Sequence, residues 1–216
     1  MDHHIAYPRE PRRVALAQMR EEYVPEFVPG IVKRIGVEGT LQRPPYSLNM
    51  GREWVKSLDG QKGVHEVFAI LVKDDALDGG WRYVGHTGIH HITATPGGYG
   101  TAGIMIFPSD GKGRGNGSEA MLLLLYHCFF VLGLRKVKAR VKAFNAPSLG
   151  HLLKCGYRII GPEREEDWHE GRYVDSLLLE VLRREWEPIW DAYQASGELP
   201  RLSGEQRALV ARETSA

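Results

Sequence analysis

The sequence predicts an α/β (α+β) fold: a mixed, mostly antiparallel central sheet of six or seven strands, flanked by helices on both faces. Three observations carry this. Runs of branched and aromatic residues recur along the chain, each bounded by glycine, proline or aspartate turns. "RKVKARVKA", residues 135–143, alternates strictly: Val137, Ala139 and Val141 fall on one face and Lys136, Lys138, Arg140 and Lys142 on the other, the pattern of a half-buried strand. Between that strand and the one before it, "DGKGRGNGSEA" runs without a break into "MLLLLYHCFFVLGL", a glycine-rich loop leading into an apolar helix.

The elements follow in order. Residues 1–13 are polar and proline-punctuated and read as an arm; 14–18 read as a first strand. Residues 20–35 have helical character, which Pro25 and Pro29 are expected to kink or divide. Residues 36–48 read as loop, and Asn49 is expected to cap a short helix over 50–58 with Trp54 on its apolar side. A turn at 59–63 leads into an antiparallel meander: strand 66–75, a hairpin connection at 78–80, a returning strand 81–92 bulged at Gly85 or Gly88, a turn at 95–100, and strand 101–108. A helix is expected from about Gly117 to Leu132, stopped by Gly133. After the alternating strand, Asn145 and Pro147 open a short helix that ends at Gly156. Residues 157–160 read as strand, 161–171 as a charged connection and 172–182 as a final strand. Two further helices are expected near 188–195 and 204–213. The domain reading is one unit over 1–186 and a helical extension over 187–216, with Trp186, Trp190 and Tyr193 as anchors for the domain itself or for a second copy in a homodimer.

Bulk properties narrow the function classes. A chain of 216 residues supports one sizeable core, and 43% hydrophobic with 25% charged residues is ordinary for a globular protein. A net charge of +1 without a basic tail gives no nucleic-acid footprint. Cys128 and Cys155 sit in apolar surroundings without metal-ligand spacing and read as buried free thiols in a reducing compartment. The N-terminus has no apolar signal-peptide core, and the longest apolar run, 121–134, is too short to span a bilayer. The expectation is a cytoplasmic protein with no membrane contact.

The order strand, glycine loop, helix, strand points to an anionic ligand. A helix N-terminus offers unsatisfied N–H groups and partial positive charge, and glycines let the backbone approach a phosphate closely. Lys112 and Arg114 add complementary charge. The loop lacks the lysine that precedes Ser/Thr in a Walker motif, and its Gly113, Gly115 and Gly117 form G-x-G-x-G rather than a dinucleotide fingerprint.

"GKGRGNGSEA", then "GLRKVKARVKAFNAPSLGHLLKCGYRIIG", then "EGRYVDSLLLEVLRREW", in this order and spacing, resemble the GCN5-related N-acetyltransferases (the GNAT superfamily). The resemblance covers about residues 101–186 and lies toward the branch that acetylates ribosomal-protein N-termini and related amines (RimJ/RimL type). It implies the acyl-CoA N-acyltransferase fold and acetyl-CoA as cosubstrate. Lys112 stands at the family's Gln/Arg position, a mild departure, with Gly115 and Gly117 at the glycine positions. Backbone amides of Gly113, Arg114, Gly115, Asn116, Gly117 and Ser118 would cradle the coenzyme A pyrophosphate. The strand near 104–107, including Ile106 and Phe107, would serve the pantetheine arm, and Asn145 and Ser148 match positions that touch the arm or order the loop. The implied reaction is direct transfer of an acetyl group to a primary amine of a protein N-terminus or a small molecule.

The family's usual proton-donating tyrosine, seven residues after the Asn, is Leu152 here, and Tyr157 reads as core. That leaves Ser148 or water to protonate the thiolate. For the base, the central strands offer His86, His90 and Glu66; His86 and His90 share a face of a regular strand, while His91 points away. Glu119 in the first helical turn is expected to cap backbone N–H groups or face away from the phosphate site, Asp175 to order Arg172 or shape the substrate groove, and Trp168 and His169 to reach the acceptor. No metal is expected; a zinc site from His86, His90 and His127 lacks convincing spacing. Two other readings stand beside the transferase: a non-catalytic acyl-CoA-binding or sensor protein on the same fold, and an unrelated nucleotide-binding phosphotransferase.

Overall fold

A computed structural model describes residues 5–7, 13–38, 47–61, 63–77, 80–93, 97–107 and 115–214. The elements are β1 (Ile5–Tyr7), β2 (Val14–Gln18), α1 (Val24–Glu38), α2 (Leu48–Leu58), β3 (His65–Lys73), β4 (Trp81–His90), β5 (Tyr99–Ile106), α3 (Asn116–Tyr126), β6 (Lys136–Lys142), α4 (Ala146–Lys154), β7 (Arg158–His169), β8 (Arg172–Leu182), α5 (Arg183–Ser196) and α6 (Gly204–Glu213). The strand order is β1-β2-β3-β4-β5-β6-β8-β7. This is the mixed sheet the sequence predicts. Among the described residues it has eight strands, because three residues of the expected arm pair with β2 as β1. The chain forms two compact units: Met1–Ile92 with Gly103–Leu124, and Thr93–Ala102 with Leu125–Ala216.

In the first unit, β2, β3 and β4 pair antiparallel. Lys73 lies opposite Trp81 and Ile70 opposite Gly85, but Leu71 lies opposite Tyr83, so Val84 is the extra residue of a bulge. Gly85 is obligatory there: a Cβ would collide with the Met105 carbonyl oxygen and lie 2.9 Å from the Ile106 Cα. Tyr23, Val24, Phe27 and Val28 bury against Ala69, Leu71, Tyr83 and Phe107. Helix α1 runs unbroken through Pro25 and Pro29, against the expected division. Pro25 falls in the first turn, where its missing N–H costs nothing. Pro29 is exposed on the face opposite this packing, and burial of the apolar face outweighs its interior cost of about 3 kcal/mol. Helix α2 is capped two residues earlier than expected: Ser47 Oγ accepts the Met50 N–H at 3.2 Å, while the Asn49 side chain accepts from Arg52.

In the second unit, β5 and β6 pair in parallel over three positions, Tyr99↔Lys136 to Thr101↔Lys138. Strand β6 is antiparallel to β8, and β8 to β7. The alternation of β6 is borne out, with Val137, Ala139 and Val141 all buried. The charged stretch expected to be a connection is instead strand, as part of β7. It is an edge strand, so its glutamates reach water and Pro162 interrupts no second ladder. Helix α5 starts at Arg183, five residues earlier than expected, and buries Trp186 completely. Trp186 stacks on Trp190 with ring centroids 5.3 Å apart, so these anchors pack within the unit. Cys128 and Cys155 are buried thiols outside any disulfide, and burial pushes the pKa of Cys155 up to about 12. Among the described residues no helix is long and apolar enough to cross a membrane.

The turn reading at 95–100, the hairpin connection at 78–80 and the loop reading at 36–48 fall partly outside the described residues.

Candidate cofactor and catalytic site

Parallel neighbours need a crossover, and the chain between β5 and β6 supplies it with the glycine loop and α3. The helix therefore begins after the carboxyl end of β5, where α/β sheets bind ligands. Lys112, Gly113 and Arg114 lie outside the described residues. From Gly115 onward the chain is defined. Gly115 has φ +81°, a conformation that favours glycine, and its carbonyl accepts the Glu119 N–H at 3.1 Å. Gly115 and Gly117 are half-buried, while Asn116 and Ser118 are buried. Gly115 and Gly117 bring no side chain to the helix N-terminus, and a helix start of this composition suits a pyrophosphate.

A carboxylate in the first turn of α3 would repel that ligand. The structure disposes of it. Glu119 is buried, and its Oε2 accepts from Arg13 Nε at 3.1 Å and Nη2 at 2.8 Å. Its Oε1 accepts the Val14 N–H at 3.3 Å. The carboxylate thereby takes up the first backbone N–H of β2 and pairs with Arg13. Arg13 as this partner is invisible in the sequence, because the two lie far apart along the chain.

Of the strand residues implied for the cofactor arm, Ile106 ends β5. Phe107 is buried, donates its N–H to the Val84 carbonyl at 2.9 Å and sets its ring edge-on to Tyr83. In the second unit, Asn145 caps α4, its side chain accepting the Ser148 N–H at 3.2 Å. Leu152 is 4% exposed and cannot act on a ligand, and Tyr157 is buried core whose hydroxyl burial holds well above its ordinary value. Asp175 accepts the Glu165 N–H at 2.8 Å, which fixes the β7–β8 hairpin. His169 stacks on Phe144, and Trp168 packs edge-on to Tyr173 in the same hairpin.

The histidines separate. His86 lies against Phe27 and Trp54, with centroids 5.3 and 5.6 Å away, in an aromatic cluster. His91 lies beyond the end of β4 at φ +53°. His90 is half-buried, and its Nδ1 lies 3.3 Å from Nδ1 of His65, the cross-strand residue. Its Nε2 sits over β5: a Cβ on Gly103 would be 3.7 Å away. Burial, then His65 and His91, hold His90 below the usual histidine range, so it is neutral near pH 7. Glu66, on the next position of β3, lines an open cavity of about 580 Å³ together with His65, Val67 and residues of α2. Simple alternation along the two strands does not reveal His65 as the partner of His90. The signal was the bulge: the register set by Lys73 and Trp81, continued straight, would put Ile89 opposite His65, and the extra residue puts His90 there. Among the described residues no cluster of three or more His, Cys, Asp or Glu side chains is arranged to hold a metal ion.

The acetyltransferase (GNAT) domain family matches residues 13–158, more than half of the chain. The chain belongs to the GNAT acetyltransferase family. It is 31% identical over 74 residues to an uncharacterized N-acetyltransferase, p20, of Bacillus licheniformis; that match spans 34% of this chain and 42% of the relative's length. Among solved structures it is similar to Mycobacterium smegmatis RimJ in complex with CoA-disulfide, with a TM-score of 0.73 and 20% identity over 88% of this chain and 91% of the other. It is similar also to the spermidine N-acetyltransferase of Vibrio cholerae in complex with CoA and spermine, with a TM-score of 0.66 and 17% identity over 81% and 98%. At these identities the structural likeness shows the fold.

Proposed function

We propose that this GNAT-family chain is an acetyl-CoA-dependent N-acetyltransferase acting on a primary amine, either a protein N-terminus or a small molecule. The observation that carries the reading is the glycine-lined N-terminus of α3 after the carboxyl end of β5, with the Glu119 charge turned onto Arg13. Family membership and two similar structures that hold CoA or its disulfide support it. The RimJ/RimL-type branch is part of the proposal, as are a cytoplasmic location and the possibility of a homodimer.

The N–H groups of Gly115, Asn116, Gly117 and Ser118, with Lys112, Gly113 and Arg114 ahead of them, would hold the pyrophosphate. Backbone near Ile106 and Phe107, and the Asn145–Ser148 helix start, would serve the pantetheine arm. Bound acetyl-CoA supplies an acyl carbon activated as a thioester. The chain contributes alignment of that carbon with the amine and a base to take the amine proton. His90 is the base in this reading: it is neutral at pH 7 and its Nε2 stands over β5. His86 in its aromatic cluster would shape the acceptor side, and Glu66 lies in the wall of the cavity that His65 also lines. Ser148, or water, returns a proton to the sulfur.

The test is calorimetric titration with acetyl-CoA beside ATP and NAD. Acetyl-CoA alone should bind, and Gly117→Trp should abolish binding while circular dichroism shows the fold intact. A folded wild type that ignores both acetyl-CoA and free coenzyme A sinks the reading; Mg²⁺-dependent ATP binding would favour a phosphotransferase. The buried leucine at position 152, where family members carry a proton donor, favours one second reading, a non-catalytic acyl-CoA sensor. Tight binding without thiol release in an amine screen would select it.

A further inference from the structure

We infer that His65 is a positioning residue for His90: its Nδ1 accepts a hydrogen bond from His90 Nδ1–H and so leaves the lone pair of His90 Nε2 aimed across β5 at Gly103. The inference rests on the proposed transfer chemistry, in which β5 lies beside the acyl group.

The geometry decides the tautomer. Two neutral imidazoles whose Nδ1 atoms are 3.3 Å apart share one proton, so one ring must carry it on Nδ1 and the other on Nε2. If His65 were the donor, His90 would hold its proton on Nε2, over the carbon of Gly103, where no side chain exists to accept it. At a half-buried position beside β5, an N–H with no protein acceptor is costlier than a bare lone pair. If His90 is the donor, His65 carries its proton on Nε2 instead. His65 lines the open cavity, where water can take that proton's hydrogen bond. The second arrangement satisfies both rings. The His91 ring, edge-on to His65 at 5.1 Å, holds it from the other side.

The consequence is chemical. As the amine nitrogen bonds to the acyl carbon, His90 Nε2 takes the proton the nitrogen gives up. The carbon–sulfur bond breaks, sulfur keeps the electron pair, and a proton from water completes the thiol. The positive charge on His90 is stabilised through Nδ1–H on His65, a neutral acceptor, in the way a third group orients a catalytic imidazole.

The test reads the tautomer directly. Histidine-labelled (¹⁵N) full-length protein is compared with His65→Leu and His65→Asn by two-bond ¹H–¹⁵N correlation at pH 7.5, with acetyl-CoA affinity measured alongside. Wild-type His90 should be protonated on Nδ1 and bare on Nε2. His65→Leu should lose that preference, and His65→Asn, whose side-chain oxygen can occupy the Nδ1 position, should restore it. With n-propylamine as probe acceptor, His65→Leu should lower kcat for thiol release at least tenfold, leave the KM for acetyl-CoA within twofold, and be rescued to within threefold by His65→Asn. A wild-type His90 protonated on Nε2, or the same tautomer in wild type and His65→Leu, overturns the inference. Wild type that binds no acetyl-CoA overturns the proposed function, and with it the use made of the pair, whatever the tautomer.

Discussion

Single side chains decide whether the start of α3 suits an anion. Glu119 is the clearest case. Its carboxylate is buried in the first turn of α3, and three donors on Arg13 and Val14 hold it. Glu119→Ala removes the acceptor of a buried backbone N–H and of a charged guanidinium. That should cost about 1–3 kcal/mol, seen as a lower urea midpoint with an unchanged slope. Arg13 is 45% exposed at its side chain, so most of the loss belongs to the carboxylate and the Val14 amide rather than to the ion pair. An unchanged midpoint would show that water replaces these bonds without penalty. The residue scale was the least legible in the sequence. Tyr157 could be read as core because it follows a helix-ending glycine beside apolar residues. Arg13 and His65 could not, since each acquires meaning only from a partner brought to it by the sheet.

At the scale of elements, the β4 bulge links steric detail to the candidate chemistry. Gly85 lets β4 pass the Met105 carbonyl, and the extra residue at Val84 shifts the register that brings His65 opposite His90. Gly85→Ala should therefore do two things. It should destabilise the fold by several kcal/mol, because the clash is with backbone that cannot turn aside. Under conditions where protein remains folded, it should also weaken the His90 tautomer preference by loosening the strand pair. Thermal melting and the same ¹⁵N correlation check both; a variant with wild-type melting means β5 gives way at little cost. Most elements were legible because they carry local signals: β2, β8 and α6 fall where the sequence puts them, and β6 alternates as read. Two of the misreadings share a cause: Pro29 in α1 and the charges of β7 run against local propensity and are settled by packing or by an edge position that a single sequence does not display. The start of α5 at Arg183 agrees with the helix propensity of its arginines and glutamates, and Pro188 inside the helix hid it.

For the whole molecule, two histidines set a response to acid. His90 in the first unit lies below its ordinary value through burial and its neighbours, and His151 in the second is lowered to about 4 by burial and by Lys154. In the unfolded chain both titrate near 6.5. Between about 6.5 and 4 the unfolded state thus binds protons that the native state refuses, and linkage makes stability fall as pH falls through that window. The His151 contribution is fully present above 6.5, falls by about 2 kcal/mol by pH 5, and stops changing below about 4, where both states are protonated. His90 adds to the same slope. Carboxylates protonate mainly below this range, so the upper half of the window isolates the histidines. Urea unfolding of wild type and His151→Gln at pH 7.5, 6 and 5 measures the effect. The variant should lose most of the slope between pH 6 and 5 even if its stability at pH 7.5 is lower, because glutamine has no proton to bind in either state. A slope equal to that of wild type would mean that His151 is protonated in the native protein, and that Lys154 moves aside to permit it.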